Sequence, residues 1–384
     1  MQIVSDPPPA TDLDEFRRQA AAFIQSAVAD GVACPAYGAI LSPALHEPAM
    51  AWQRYCFEQG WAGLHWPSEY GGQGLTRAHN TVWHEECARA EVAPYLNLQG
   101  IVLAGEAILR SGTDAQRDRL LRPTLTGEIL WCQLFSEPGA GSDLAGLSSR
   151  ADLDGDHFVL NGQKVWSSNA QFAQRGILMA RTDPQVPRHR GISFFLLDMR
   201  LPGVEIRPVR QMTGDEEFCE VFFTDVEIPA EALLGDLHGG WRVAMEVLID
   251  ERGGAGGAGV ISLGQRLDAL VAGVAARGRT LDPTARGAVA HLVSRGRALQ
   301  ALMERSGGDP LTANVAKLYN SDLGYAEAAL GSALHGADGM LSGPATDRLL
   351  YSPGMRIAGG SSEIQRNIIG ERTLGLPREP EPGS

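Results

Sequence analysis

Residues 157–168 read HFVLNGQKVWSS, and this stretch decides how the middle of the chain is expected to fold. Asn161-Gly162 separates two short runs, and an Asn-Gly pair in this setting is the strongest local signal for a β-hairpin. Asp154-Gly155 predicts a further turn just before it. The later runs GISFFLLDM, VEIRPVR and CEVFFTDVEI are rich in β-branched and aromatic residues and are broken by Pro and Gly. Residues 130–232 are therefore predicted to form a β domain of antiparallel hairpins.

Helical spacing of apolar residues flanks this β region on both sides. Before it, helices are predicted from residue 13 onward and at 46–60, 81–90, 97–110 and 115–121. After it, the pattern is helical from Trp241, with breaks near Asp282-Pro283, Gly307-Gly308 and Gly343-Pro344. The chain is thus expected to be an α+β protein with a helical part at 1–128, a β part at 129–235 and a helical part at 236–384.

Composition narrows the class of protein. The 384 residues carry 33 basic and 46 acidic side chains, a net charge of −13, which argues against a general nucleic-acid surface. The five cysteines have no paired short spacing, so neither a zinc site nor a redox pair is indicated. The first residues lack the pattern of a signal peptide, and no apolar run approaches the roughly 20 residues of a membrane span. We expect a cytoplasmic protein that binds neither nucleic acid nor membrane.

Glu251 is the most informative acidic residue of the chain. It ends the helical stretch WRVAMEVLIDER, and the residues three, four and seven positions before it are Leu248, Val247 and Ala244. A carboxylate on such an apolar stripe becomes a stronger base, because burial disfavours its charged form. The spacing alone also fits a structural acid that faces solvent or pairs with an arginine.

Two further segments have the composition of a ligand site. In LFSEPGAGSDL, residues 134–144, the glycines permit a tight turn with exposed amides that suits an anionic or polar ligand, and Ser136 and Ser142 flank the turn. The alternative is an ordinary loop of a β domain. Trp166 could place a flat ring against a ligand beside Ser168, or it could be a core tryptophan next to a satisfied serine.

These segments, in this order, resemble the acyl-CoA dehydrogenase family over nearly the whole chain. The resemblance rests on LFSEPGAGSDL, NGQKVWSSN, the helix ending in Glu251-Arg252, and GGSSEIQRNIIG at residues 359–370. It implies an N-terminal helical domain, a middle antiparallel β domain and a C-terminal helical bundle. It also implies FAD-dependent α,β-dehydrogenation of an acyl-CoA thioester to the trans-2-enoyl-CoA, with electrons passed to an electron-transfer flavoprotein.

The resemblance assigns the loop that begins at Gln133 to the flavin. The segment from Gln133 to Ser142, with Phe135 in it, would line the cofactor. The Ser136 hydroxyl would face the pyrimidine end of the ring, and Ser142 would reach the CoA arm of the substrate.

The resemblance also assigns the Trp166 motif and part of the C-terminal segment to FAD. Trp166, Ser167 and Ser168 would lie at the isoalloxazine, with the Trp166 ring shielding one side and the Ser168 hydroxyl near N5 or O4. Ser361 and Glu363 would lie near the adenosine part.

The C-terminal segment departs from the common family pattern. Many members carry the catalytic glutamate in an EGT-type motif, whereas this chain has Gly359-Gly360-Ser361 there. A minority layout, which resembles isovaleryl- and long-chain-type enzymes, places the base on an earlier helix just before an arginine, as in Glu251-Arg252. The resemblance thus implies that Glu251 is the base, that the Gly359 N–H donates to the thioester oxygen, and that Gly360 and Arg252 lie near the substrate.

A second departure concerns assembly. The Arg-x-x-Phe-Gly segment that many members supply to a neighbouring subunit's FAD is missing from AARGRTLDPTARG, where Arg277 or Arg279 could substitute. The QxxGGxGY-like segment is altered to LHGADGML at residues 334–341. A homo-oligomer (dimer or tetramer) with a modified FAD site and a heterotetramer with a homologous subunit both stay open.

Other functions on the same fold also stay open. An acyl-CoA oxidase or a flavin monooxygenase would use oxygen, and a non-catalytic partner subunit would do no chemistry. The small residues at 253–256 fit either a roomy pocket for a branched, cyclic or steroid-derived acyl chain or close helix packing.

Overall fold

The computed structural model describes residues 12–36, 43–253, 256–278, 280–306 and 310–377. The chain divides into two compact units, Met1–Glu251 and Arg252–Ser384. The boundary falls directly after Glu251, so the proposed base belongs to the first unit.

Helices form the first part of unit 1. They are α1 Leu13–Ala29, α2 His46–Glu58, α3 Arg77–Arg89, α4 Gly105–Ser111 and α5 Asp114–Thr126. The predicted helices at 46–60, 81–90 and 115–121 are confirmed. The predicted helix at 97–110 is only partly regular, because a π-helical turn at Gln99–Ala104 precedes α4.

An aromatic stack holds these helices together. Phe23 on α1 stacks on Trp61 with ring centroids 5.1 Å apart, and Trp61 stacks on Trp83 of α3 at 5.2 Å. Trp52 on α2 is fully buried beside the same group. Each such pair stabilises the fold by about 0.5–1.5 kcal/mol beyond the area it buries.

A seven-stranded sheet follows the helices. Its strands are β1 Trp131–Leu134, β2 Arg150–Asp154, β3 His157–Ser168, β4 Arg175–Arg181, β5 Ile192–Asp198, β6 Val204–Val209 and β7 Phe218–Pro229. The order is β1-β4-β2-β3-β7-β6, and β5 pairs with β4. Most pairings are antiparallel, as expected, but β1 and β4 run parallel over four residues.

The predicted hairpin at Asn161-Gly162 is wrong. The strand β3 continues through both residues, and its register against β7 shifts between Leu160 and Gly162, which marks a β-bulge. Gly162 has φ +150°, and a Cβ there would lie 2.6 Å from Ser149 Cβ and 2.7 Å from Ser149 Cα. The glycine therefore serves a bulge and a close backbone approach instead of a turn.

The other predicted turn is confirmed. Asp154-Gly155 lies where β2 turns into β3, and Asp154 pairs with His157 across that turn. Gly155 has φ +63°, a left-handed conformation that glycine adopts at little cost.

The C-terminal half is helical. Helix α6 spans Gly240–Gly253, and α7 Gly256–Ala276, α8 Pro283–Ser306, α9 Pro310–His335, α10 Pro344–Met355 and α11 Ser362–Ile368 follow. The predicted breaks at Asp282-Pro283 and Gly343-Pro344 are confirmed, whereas Gly307-Gly308 lies outside the described residues. Buried leucines from α7, α8 and α9 form the core of unit 2, including Leu267, Leu299 and Leu323.

Helix α7 contains a longer apolar segment than the sequence analysis expected. By length and composition alone, Ala258–Ala276 could cross a membrane, and 22% of this window is buried. The segment contains Arg266, however, which pairs with Glu327 of α9 at 3.1 Å. Leu263 and Leu267 on the same helix are buried against α8 and α9, so α7 packs as part of a helical bundle.

Candidate active site

A buried ion pair shapes the glycine-rich loop that follows β1. The Lys164 ammonium, on β3, donates to Glu137 Oε1 at 2.8 Å and to the Phe135 carbonyl at 3.1 Å. The Glu137 carboxylate also accepts from the Ser148 and Ser149 amides at 2.6 and 2.9 Å. Lys164 is fully buried and Glu137 is 5% exposed, so both ends of the loop are held by charged bonds inside the protein.

The surroundings of Glu137 keep it ionised. Burial alone would raise its pKa, but the Lys164 ammonium and the donors of Ser148 and Ser149 lower it to about 2. Sequence reasoning missed this pair. The available signal was a lysine at an inward position of a strand in which Phe158 and Leu160 also point inward.

The loop and β3 together present three hydroxyl groups. The Val165 N–H donates to the Ser136 carbonyl at 2.9 Å, which keeps the loop beside β3. Ser136 and Ser168 are half-buried and Ser142 is exposed. Within the described residues, none of these three hydroxyls has a protein partner. They are available to a polar ligand.

The remaining predicted residues of this loop differ in orientation. Gln133 lies on β1 with a half-buried side chain. The Phe135 ring is buried against Phe194, with ring centroids 5.7 Å apart, so it belongs to the core. Phe135 could therefore contact a cofactor through its backbone, not through its ring.

Trp166 is not a core residue. Its side chain is 57% exposed and stands edge-on to Phe218, and its backbone has φ +59°. A bulky residue in that conformation costs about 1–3 kcal/mol, a strain typical of functional sites. Ser167 is fully buried and its hydroxyl lacks a partner among the described residues, so this side chain lies on the other face of β3.

These features fit FAD. An exposed aromatic ring and unpaired hydroxyls on two adjacent segments suit a flat heteroaromatic ring with polar edges. Gly139 and Gly141 leave open space beside the loop, since a Cβ at either position would meet no atom within 4 Å.

Glu251 lies in the last turn of α6, as predicted. Ala244 and Val247 on the same stripe are fully buried, and Leu248 packs against the core. Glu251 itself is half-buried. Glu251 therefore lies at the margin of the apolar core that Ala244 and Val247 enter. The side chain of Arg252 lies outside the described residues.

Beside Glu251, α6 carries charged residues that sequence reasoning did not single out. The Arg110 guanidinium, on α4, bonds the Asp250 carboxylate and lies 3.5 Å from Glu246. Arg110 also contacts Glu106 at 3.3 Å, and Glu106 bonds Arg77 of α3 at 2.6 Å. Arg110 and Asp250 are 140 positions apart, so no local pattern could have paired them.

In unit 2, the segment before α11 is held by its carbonyl groups. The Lys317 ammonium, on α9, donates to the Gly360 and Arg356 carbonyls at 2.5 and 3.3 Å. Gln365 Nε2 donates to the Gly359 carbonyl at 2.9 Å. Gly359 and Gly360 have φ +66° and +98°, conformations that favour glycine. The two glycines of the proposed donor site thus have a defined backbone geometry.

The next three residues, 361–363, make different contacts. Ser361 caps α11, because its hydroxyl accepts from the Ile364 N–H at 3.3 Å. Glu363 is exposed, and hydrogen bonds from its own N–H and from Ser361 lower its pKa. Ser362 is buried, and its hydroxyl lacks a partner among the described residues. A cavity of about 350 Å³ is lined by Tyr325, Pro353, Arg356, Ile357, Ser362 and Glu363.

Neither of the two arginines that could replace the missing Arg-x-x-Phe-Gly segment can be assigned to a binding site. Arg277 follows α7 and is exposed, and Arg279 lies outside the described residues. The altered segment at 334–341 forms the end of α9 and a short 3₁₀ turn, Gly336–Met340.

Family comparisons cover all three parts of the chain. Profiles of the acyl-CoA dehydrogenase N-terminal, middle and C-terminal domains match residues 11–128, 132–226 and 238–374. The acyl-CoA dehydrogenase IpdE1 of Mycobacterium tuberculosis is 38% identical over 96% of this chain and 99% of its own length.

Solved structures agree with the sequence comparison. The Tcur3481-Tcur3483 steroid ACAD has a TM-score of 0.82 and 26% identity, covering 98% of this chain and 100% of its own. The ChsE4-ChsE5 complex from Mycobacterium tuberculosis has a TM-score of 0.80 and 26% identity, covering 99% and 100%. The chain therefore belongs to the acyl-CoA dehydrogenase family, whose members use FAD, and it is an oxidoreductase of that family.

Proposed function

We propose that Glu251 removes the α-proton of an acyl-CoA thioester in α,β-dehydrogenation to the trans-2-enoyl-CoA. The observation that carries this proposal is the half-buried carboxylate at the end of a buried apolar stripe. The glycine at position 359, where many members carry the acid, supports it further. A carboxylate at the margin of an apolar core is a better base than one in water.

The remaining groups stabilise charge and hold the ligands. The Gly359 N–H would donate to the thioester oxygen as negative charge develops on it, an effect typically of several kcal/mol. FAD, when bound, supplies the acceptor for the hydride that leaves the β-carbon. The residues proposed to hold FAD are Gln133, Ser136, Ser142, Trp166, Ser168, Ser361 and Glu363, with Phe135 and Ser167 contributing backbone atoms only. Those proposed near the substrate are Ser142, Arg252 and Gly360.

The test is Glu251→Gln, which keeps the shape of the side chain and removes its basicity. We expect the variant to bind FAD and acyl-CoA but to bleach the flavin about 10²–10⁴-fold more slowly under anaerobic conditions, the usual contribution of a general base. Glu205→Gln, at an exposed ion pair with Arg207 on β6, is the control and should bleach at a rate close to wild type. Bleaching of Glu251→Gln at the wild-type rate would refute the assignment.

For the acyl group, we propose a ring-bearing, steroid-derived chain. One similar solved structure is described as a steroid ACAD, and small residues follow Glu251. A panel of straight, branched and ring-bearing acyl-CoAs, assayed with an artificial electron acceptor, tests this. Turnover of straight-chain substrates alone would contradict it.

The electron acceptor and the catalytic competence of the isolated chain need separate measurements. We propose an electron-transfer flavoprotein as acceptor, so turnover should release little hydrogen peroxide. Fast oxygen consumption would favour the oxidase or monooxygenase alternative.

The non-catalytic alternative predicts a colourless chain, whereas the proposed enzyme should contain about one flavin per active site. We further propose that the enzyme acts in the cytoplasm.

A further inference from the structure

A connected set of charges joins α6 to α3 and α4, and the mechanism above does not use it. The Arg110 cluster consists of Arg77, Glu106, Arg110, Glu246 and Asp250. Arg110 bonds Asp250 and contacts Glu246 and Glu106, and Arg77 reaches Asp250 at 3.7 Å. The far oxygen of Glu106 bonds His65, which extends the set to the loop after α2.

The two central carboxylates of the cluster are largely out of water. The Glu106 side chain is 5% exposed and the Asp250 side chain 11%. Burial raises the pKa of Asp250, and the Arg110 guanidinium opposes that rise. Removing one partner of such a pair leaves an uncompensated buried charge, whereas an exposed pair contributes little. Arg110 therefore lowers the free-energy cost of keeping the Asp250 carboxylate charged inside the protein.

Asp250 lies on α6 directly before Glu251. Arg110 bonds Asp250 and also contacts Glu246, which lies one turn earlier on the same helix. Because these two contacts are one turn apart, Arg110 restrains both the position and the rotation of the turn that leads to Glu251.

We infer that Arg110 is a positioning residue for Glu251: its bonds to Asp250 and Glu246 hold the final turn of α6 so that the base keeps one orientation. This inference rests on the proposed role of Glu251. Arg110 itself need not touch the substrate or the cofactor.

The test separates positioning from stability. Arg110→Met alone leaves the buried Asp250 with only the longer contact to Arg77, so it is expected to lower thermal stability. The double variant Arg110→Met/Asp250→Asn removes that charge and should recover much of the stability. It still lacks the anchor, so kcat should remain lower by on the order of 10- to 100-fold, because small misplacements of a catalytic group have large effects.

The readouts are kcat, KM and flavin content, measured with the acyl-CoA that wild type turns over fastest. We expect a low kcat in the double variant with near-normal KM and flavin content. Arg242→Met is the matched control. Arg242 also pairs with Glu246, but its side chain is 60% exposed, so this variant should leave kcat unchanged. A wild-type kcat in the double variant, or a loss of flavin that accounts for the lower rate, would overturn the inference. If Glu251→Gln is inactive in the same assay, such a result removes the positioning role and leaves the base assignment in place.

Discussion

At the scale of single residues, buried ion pairs lie beside the glycine-rich loop after β1 and beside the proposed base. Glu137 and Lys164 hold the loop that carries Ser136, and Arg110 holds the helix end that carries Glu251. In both cases a charge inside the protein is balanced by a partner from another element. Breaking either pair is expected to cost more than breaking an exposed pair.

The Glu137 pair predicts a pH dependence of stability. The pKa of Glu137 is lowered from 4.5 to about 2, so between these values the unfolded chain binds more protons and the free energy of unfolding falls as pH falls. Above this range, wild type should be more stable than Glu137→Gln by roughly 3–5 kcal/mol, because the variant leaves the buried Lys164 ammonium unpaired. That advantage should shrink as pH drops from about 4.5 towards 2.

Denaturant unfolding of both proteins at several pH values measures this difference. Asp152→Asn is the control, since Asp152 pairs with Arg150 in an exposed position and should cost less than about 1 kcal/mol. An advantage of wild type over Glu137→Gln that stays constant across the acid range would contradict the prediction.

At the scale of elements, β3 carries both Lys164, which holds the loop after β1, and Trp166. Its register with β7 shifts twice, once beside Gly162 and once between Lys164 and Ser167. The second irregularity includes Trp166, whose positive φ leaves its ring exposed. A bulge re-aims side chains in this way, and it explains why Trp166 is exposed while Ser167 is buried.

The bulge predicts a large penalty for Gly162→Ala. The new Cβ would clash with Ser149, and the cost should exceed that of Gly155→Ala by about 1–3 kcal/mol in the free energy of unfolding. Gly155 is the matched control, because its φ is also positive but a Cβ there would meet no atom within 4 Å. Equal losses of stability for the two variants would show that backbone strain alone determines the effect.

At the scale of the whole molecule, unit 2 presents apolar side chains that its own core does not cover. Val271 on α7 is 37% exposed, Leu302 on α8 is 39% exposed and Tyr325 on α9 is 40% exposed. One similar solved structure is described as a complex of two chains. The apolar stretch Ala258–Ala276 of α7 is only 22% buried, and an apolar helix exposed in this way is often covered by another subunit.

We therefore expect the purified chain to associate through unit 2. Light scattering should give a mass of at least a dimer, and Val271→Asp, which places a charge on the apolar surface of α7, should shift the mass roughly towards the monomer. Circular dichroism should show that the variant keeps its helices. A wild-type chain that is monomeric across the concentrations measured would contradict this expectation.

Local patterns in the sequence determined much of the architecture. The order of helical, β and helical parts, the turn at Asp154-Gly155 and the stripe that leads to Glu251 all follow from spacing within a few residues. Periodicity and turn chemistry act over that range, so they can be read without tertiary contacts.

The tertiary structure alone decided the rest. Asn161-Gly162 suits either a turn or a bulge, and only the pairing of β3 with β7 and the contact with Ser149 select the bulge. The bond between Arg110 and Asp250 joins residues 140 positions apart, and the burial that strengthens it exists only after the helices pack. Distant partners and loss of solvent come from the folded chain, and together they set the surroundings of the proposed base.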